Sequence, residues 1–198
     1  VEQKYKIREE WLLAGIAAID ATIFIPNNRP LPSNLMVSCS FSITGNRLGS
    51  DKVTQGSCID KTMSDSKAND QICISPIVDD SVEVLDTLVH ECLHAQVGVA
   101  HGHKAPFSRG MKDIGLIDKP TVARAGEEML VILRKIADEL GPYPHSKLDT
   151  TGRKKQTTRM VKCECPECGM VVRASRKALE NGPPHCWDTE HGPMEIVD

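Results

Sequence analysis

The chain has 198 residues, 40% of them hydrophobic and 26% charged, with a formal net charge of −3. That allows one sizeable core plus a small appended module, and the composition is that of an ordinary globular protein rather than a fibrous or disordered one. Aromatic residues are only 4% of the chain, which argues against ligand cages built from many rings.

The first expected element is an amphipathic helix from about Tyr5 to Phe24, with Ile7, Trp11, Leu12, Ile16 and Ile19 near helical spacing. The apolar run from Trp11 to Ile25 is broken by Asp20 and preceded by Glu9 and Glu10, so it reads as a helix and not as a signal sequence. The proline-rich segment Asn27–Ser33 ends it. Three β-like runs follow, Leu35–Phe41, Gly56–Lys61 and Gln71–Ile77, separated by Gly, Asn, Asp and Ser clusters. A helix is expected from near Asp80 to about Val99, with Asp80 and Glu83 at capping-box spacing. After a Gly-His loop, a short helix starts near Pro106. A longer one runs from about Val122 to Leu140, where Gly141-Pro142 stops it. This order gives an α+β domain over 1–146, a polar basic linker over 147–161 and a small C-terminal module over 162–198.

No stretch is long and apolar enough to span a membrane, and no membrane partner is expected. Three of the eight cysteines (Cys39, Cys58, Cys73) lie scattered in strand-like runs, and Cys92 falls on an apolar helix face. That pattern suits buried thiols in a reducing compartment rather than a disulfide framework. The expectation is a soluble, cytoplasmic protein.

The strongest motif is His90-Glu91-Cys92-Leu93-His94, an H-E-x-x-H sequence. Residues four apart share a helix face, so His90 and His94 can reach one metal ion. Glu91, one step of ~100° around the helix, sits beside that metal, where it can take a proton from a zinc-bound water whose pKa the metal lowers to near 7. Leu85, Leu88, Val89, Cys92 and Leu93 form a stripe on the opposite side, so one face packs and the other is presented to a cleft. A catalytic zinc needs a third protein ligand. His101-Gly102-His103 lies just beyond the helix, and Glu127 or Glu128 on the next long helix could supply a carboxylate instead. The metzincin pattern is ruled out, because its third His would fall at Ala100 and its Gly at Val97.

Near the other end, Cys165-Pro166-Glu167-Cys168-Gly169 is a C-x-x-C-G knuckle, two thiolates on a tight turn relieved by glycine. Cys186 supplies a third ligand. His191 is favoured over Cys163 as the fourth, because a second half-site should itself provide two ligands. A closed four-ligand site contributes folding energy rather than chemistry, and so small a module has too little core to stand without it. Between Lys147 and Lys177 nine basic residues face only Asp149, Glu164 and Glu167. Arg153, Lys154, Lys155, Arg159, Lys162, Arg173, Arg176 and Lys177 are therefore candidate phosphate contacts, giving salt-dependent and sequence-tolerant binding to a polyanionic partner.

The order His90-Glu91-x-x-His94, seven residues, then Gly102-His103-x-x-x-Phe107 resembles the SprT-like family of zinc metalloproteases, which includes the Spartan proteases. Gly141-Pro142-Tyr143-Pro144-His145 and Gln156-Thr157-Thr158-Arg159 look like its bacterial and phage-type members, which also end in a zinc ribbon. The resemblance spans about Leu35 to His191, with a loop before Gly102 shorter than in the eukaryotic members. It implies a gluzincin-like α+β fold, His103 as third ligand, Phe107 as a packing residue and His101 as a loop residue. It further implies peptide hydrolysis with Glu91 as general base and then proton donor, one catalytic and one structural Zn2+, and substrates associated with or crosslinked to DNA. Tyr143 and His145 are candidates for stabilising the oxyanion, and each is as readily structural. Two other classes stay open: a zinc-stabilised nucleic-acid-binding or adaptor protein without protease activity, and a protease aimed at a protein partner through its ribbon.

Overall fold

The computed structural model describes residues 4–43, 54–149 and 160–197. The chain divides into two units, Val1–Gly152 and Arg153–Asp198, and the division falls inside the span expected as a linker. Both units mix helices with small sheets, so the fold is α+β. Among the described residues no helix is long and apolar enough to cross a membrane.

In the first unit, helix α1 (Arg8–Ile19) buries Trp11, Leu12, Gly15 and Ile19. The helical path continues to Asn27, but through a π turn at Asp20–Phe24 and a 3-10 turn at Ile25–Asn27 rather than as one regular helix. Asn28, at φ +56°, ends it. The Asp20 carboxylate accepts the Leu31 N–H at 2.9 Å and holds the proline-rich exit against the helix. Strands β1 (Met36–Cys39), β2 (Gly56–Ile59) and β3 (Gln71–Ile74) form a sheet in the order β1-β3-β2, with β1 parallel and β2 antiparallel to β3. Each is four residues, shorter than its apolar run, and β2 lies at the sheet edge.

Helix α2 (Ser81–Val97) begins at Asp80, whose side chain accepts from the N–H groups of Val82 and Glu83. Only this half of the expected capping box forms, because the Glu83 carboxylate accepts from Gln55 Nε2 on the other side of the cleft. Helix α3 (Ala105–Ile114) ends at Gly115 in the left-handed region. Strands β4 (Leu116–Ile117) and β5 (Arg124–Ala125) then make a short antiparallel hairpin, and α4 (Glu127–Leu140) follows. The expected start of α4 near Val122 is therefore corrected to Glu127: residues 123–125 are extended because their backbone serves β4 on one side and α2 on the other. Helices α1 and α2 pack on the sheet, and α4 packs against both. The core between them holds Trp11, Phe24, Leu85, Leu88, Leu93 and Leu133, each fully buried and each contributing on the order of 1.5–3 kcal/mol.

The second unit is a three-stranded antiparallel sheet, β6 (Val161–Glu164), β7 (Val171–Ala174) and β8 (Glu195–Val197), in the order β7-β6-β8. A single helical turn, α5 (Arg176–Leu179), follows β7.

Candidate metal centres

Helix α2 buries Val84, Leu85, Leu88, Val89, Cys92 and Leu93 and turns Glu83, Asp86, Thr87, His90, Glu91 and His94 towards an open cleft of about 1150 Å3. The segregation is the one that helical periodicity demands of an apolar stripe. Gly98, at φ +94°, ends the helix, and the turn Val99–His101 reverses the chain. Gly102 then sits at φ +49°, ψ −138°, a backbone conformation that residues with a Cβ essentially do not adopt. This glycine swings His103 back over α2.

Three imidazoles meet there. His103 Nε2 lies 3.3 Å from His90 Nε2 and 3.1 Å from His94 Nε2. Nitrogens bound to one tetrahedral zinc at ~2.0–2.1 Å are separated by about 3.3–3.4 Å, so the spacing fits a metal ion. His90 Nδ1 faces the Ala123 carbonyl at 3.2 Å and, as its donor, leaves Nε2 as a lone pair aimed at the other two rings. Phe107 is fully buried beneath the cluster, its centroid 4.3 Å from that of His94 and 5.0 Å from those of His90 and His103.

Burial dominates the electrostatics. It pushes the imidazole pKa down to about 4 at His90 and about 3 at His94, and lowers that of the more exposed His103 as well. All three are therefore neutral at pH 7, the state that binds metal. Burial raises the Glu91 carboxyl to about 8, opposed by a hydrogen bond from the Cys58 N–H on β2. A cation beside it would favour the ionised form. Gly56 makes this approach of β2 to α2 feasible: a Cβ there would stand 2.6 Å from Thr87 Cγ2 and 2.9 Å from Glu91 Cγ and Oε1.

Other residues fall outside this group. Glu127 and Glu128 are exposed on α4 and do not join the three histidines. His101 is exposed in the preceding turn. Tyr143 is buried with its ring 5.0 Å from that of Trp11, and neither it nor His145 lines the cleft. His145 Nε2 meets the Pro76 carbonyl at 2.9 Å, a brace for the chain after β3. Sequence reasoning missed Gly56, the Cys58 N–H, Asp86 and the Ala123 carbonyl. Two of these are backbone groups with no side-chain signature, but Asp86 stands one helical turn before His90 on the same face and could have been found.

In the second unit Cys165, Cys168, Cys186 and His191 converge, their ligand atoms all within 4.8 Å of one another. Cys165 Sγ is 3.6 Å from His191 Nδ1, and Cys168 Sγ is 3.6 Å from Cys186 Sγ. Tetrahedral zinc with Zn–S of ~2.3 Å predicts about 3.6 Å and 3.8 Å for these pairs. The knuckle amides, first that of Cys168, lower the Cys165 thiol to about 7. His191 Nε2 faces the Asp188 carboxylate at 3.8 Å, leaving Nδ1 available to a metal ion. Cys163 does not join these four: it is fully buried in β6 and packs with Cys165, Cys186 and Met194.

Arg173, Arg176 and Lys177 are exposed on this unit, whereas Arg153, Lys154, Lys155 and Arg159 lie outside the described residues. Lys162 pairs with Glu164 on its own strand, and the cross-strand partner of Lys162 on β7 is Arg173. Compared with known proteins, the chain matches no family model, no curated protein and no solved structure.

Proposed function

We propose that the chain is a zinc-dependent peptidase of gluzincin-like architecture, with a zinc-ribbon module that is structural. The observation that carries this reading is the convergence of His90, His94 and His103 beside a buried Glu91 on the floor of an open cleft. A purely structural zinc site is closed by four ligands, as in the second unit, whereas three ligands at a cleft leave a position for substrate chemistry. Zinc held there would supply Lewis acidity and a water acidified towards neutrality. The three neutral imidazoles would hold the ion, and the Ala123 carbonyl faces the Nδ1 of the His90 ring. Glu91 keeps one anchor to the Cys58 N–H while its carboxylate takes the proton of the attacking water and passes it to the leaving amine. A scaffold or adaptor has no use for a general base buried beside the ligands, which favours the enzyme over the binding-module reading.

Proteins associated with DNA are the proposed substrates, supported by the basic stretch Lys147–Arg159. The test is cleavage of a DNA-binding protein with and without single- and double-stranded DNA, alongside Glu91→Gln. The expected result is DNA-stimulated cleavage that the variant loses while retaining both zinc ions. Cleavage indifferent to DNA would keep the peptidase and discard the DNA association. Undiminished cleavage by the variant would remove Glu91 from its role.

A further inference from the structure

The hairpin β4–β5 has only two strand pairs, Leu116↔Ala125 and Ile117↔Arg124, too few to hold its own position. Its place against α2 matters, because the Ala123 carbonyl that orients His90 belongs to the segment entering β5. One side chain of α2 grips that segment: Asp86 Oδ1 accepts the Ala125 N–H at 2.7 Å. Asp86 and His90 are one turn apart on the same helix face, so α2 meets residues 123–125 at two points in register. Arg124, between them in sequence, pairs with Asp118 within the hairpin at 2.8 Å, and its charge also acts on Asp86. Asp86 lines the cleft but is not among the converging ligand atoms.

We propose that Asp86 is a positioning residue for the metal ligand His90, acting through the backbone of Ala123–Ala125. Its carboxylate clips the strand to α2. The clipped strand presents the Ala123 carbonyl to Nδ1, and that contact keeps Nε2 free and aimed at the metal. The group that accepts a ligating histidine's other ring N–H is worth about 10- to 100-fold in metal affinity when lost, and here that group is the Ala123 carbonyl, which Asp86 holds in place. The inference rests on the reading of the three-histidine cluster as a metal site.

The test uses the full chain as wild type, Asp86→Ala and Asp86→Asn. Zn2+ affinity at each site is measured by competition with a chromophoric chelator. Co2+ substitution tells the sites apart, because only the cysteine-containing one gives thiolate charge-transfer absorption. In Asp86→Ala the three-histidine site is expected to weaken by about 10- to 100-fold while the four-ligand site is unchanged. Asp86→Asn, which keeps an acceptor oxygen, recovers most of the loss. Asp86→Glu, which displaces the acceptor by one methylene, weakens the same site and serves if the alanine variant does not fold. Wild-type affinity in Asp86→Ala, or equal loss in the alanine and asparagine variants, overturns the proposal. A wild-type chain that takes up zinc only at the four-ligand site overturns the metal-site reading itself, and the inference with it.

Discussion

Burial acts in opposite senses on the groups of the cleft, and in the metal-free protein this should show as a pH dependence of stability. His90 and His94 stay neutral down to about 4 and about 3, against 6.5 when unfolded. As pH falls below 6.5 the unfolded chain therefore binds more protons, and the fold loses stability. Glu91 behaves inversely. Its folded carboxyl keeps a proton up to about 8, against 4.5 unfolded, so stability falls as pH rises between those values. Below about pH 6 the two histidines outweigh the single carboxyl, and between about 7 and 8 Glu91 acts without them. Denaturant titrations with chelator present should find a maximum near neutrality or just below, and Glu91→Gln should flatten the decline from pH 7 to 8. A decline of equal slope in that variant would mean another group causes it.

The closeness of β2 and α2 sets the position of Glu91, the proposed general base, and Gly56 is where the two elements nearly touch. Gly56→Ala must displace the Thr87 methyl, the Glu91 carboxylate or the strand, at a cost of about 1–3 kcal/mol of overpacking. A displaced base should lower kcat by about 10- to 100-fold with KM and zinc content near wild type. Steady-state kinetics beside metal analysis checks this, and zinc lost in step with activity would relocate the effect to the ligands. The same contact marks the limit of what was legible beforehand. His90, Glu91 and His94 are readable because the helix period places them on one face, and the knuckle is readable because cysteine spacing is itself geometry. That His103 rather than Glu127 or Glu128 converges with the α2 histidines, and His191 rather than Cys163 with the knuckle, depends on which loop folds back, and spacing left both choices open. The extended segment 123–125 read as helix because its apolar residues suit either period, and only the tertiary partners β4 and Asp86 make it a strand.

At the scale of the whole molecule the two units differ in what holds them. The first has a core of large apolar side chains from four helices and a sheet. The core of the second is Cys163, Cys165, Cys186 and Met194, flanked by Met170, Val172 and Leu179, and two of those four buried residues are among the four side chains that converge as a candidate metal site. Charge is also unevenly shared: residues 160–197 carry four basic side chains against six acidic ones, so the basic surplus of the tail sits in 147–159. A DNA contact through the strands of the second unit is therefore less favoured than one through that stretch. Structural zinc of this ligand type is worth on the order of 10–16 kcal/mol, more than so small a core provides. Cys186→Ser in the full chain should then abolish hydrogen-exchange protection in Val161–Glu164, Val171–Ala174 and Glu195–Val197. The melting temperature and zinc affinity of the first unit should stay at their wild-type values. If those strands kept their protection in Cys186→Ser, the second unit would be held by its apolar contacts, and its metal would be an accessory to a fold already made.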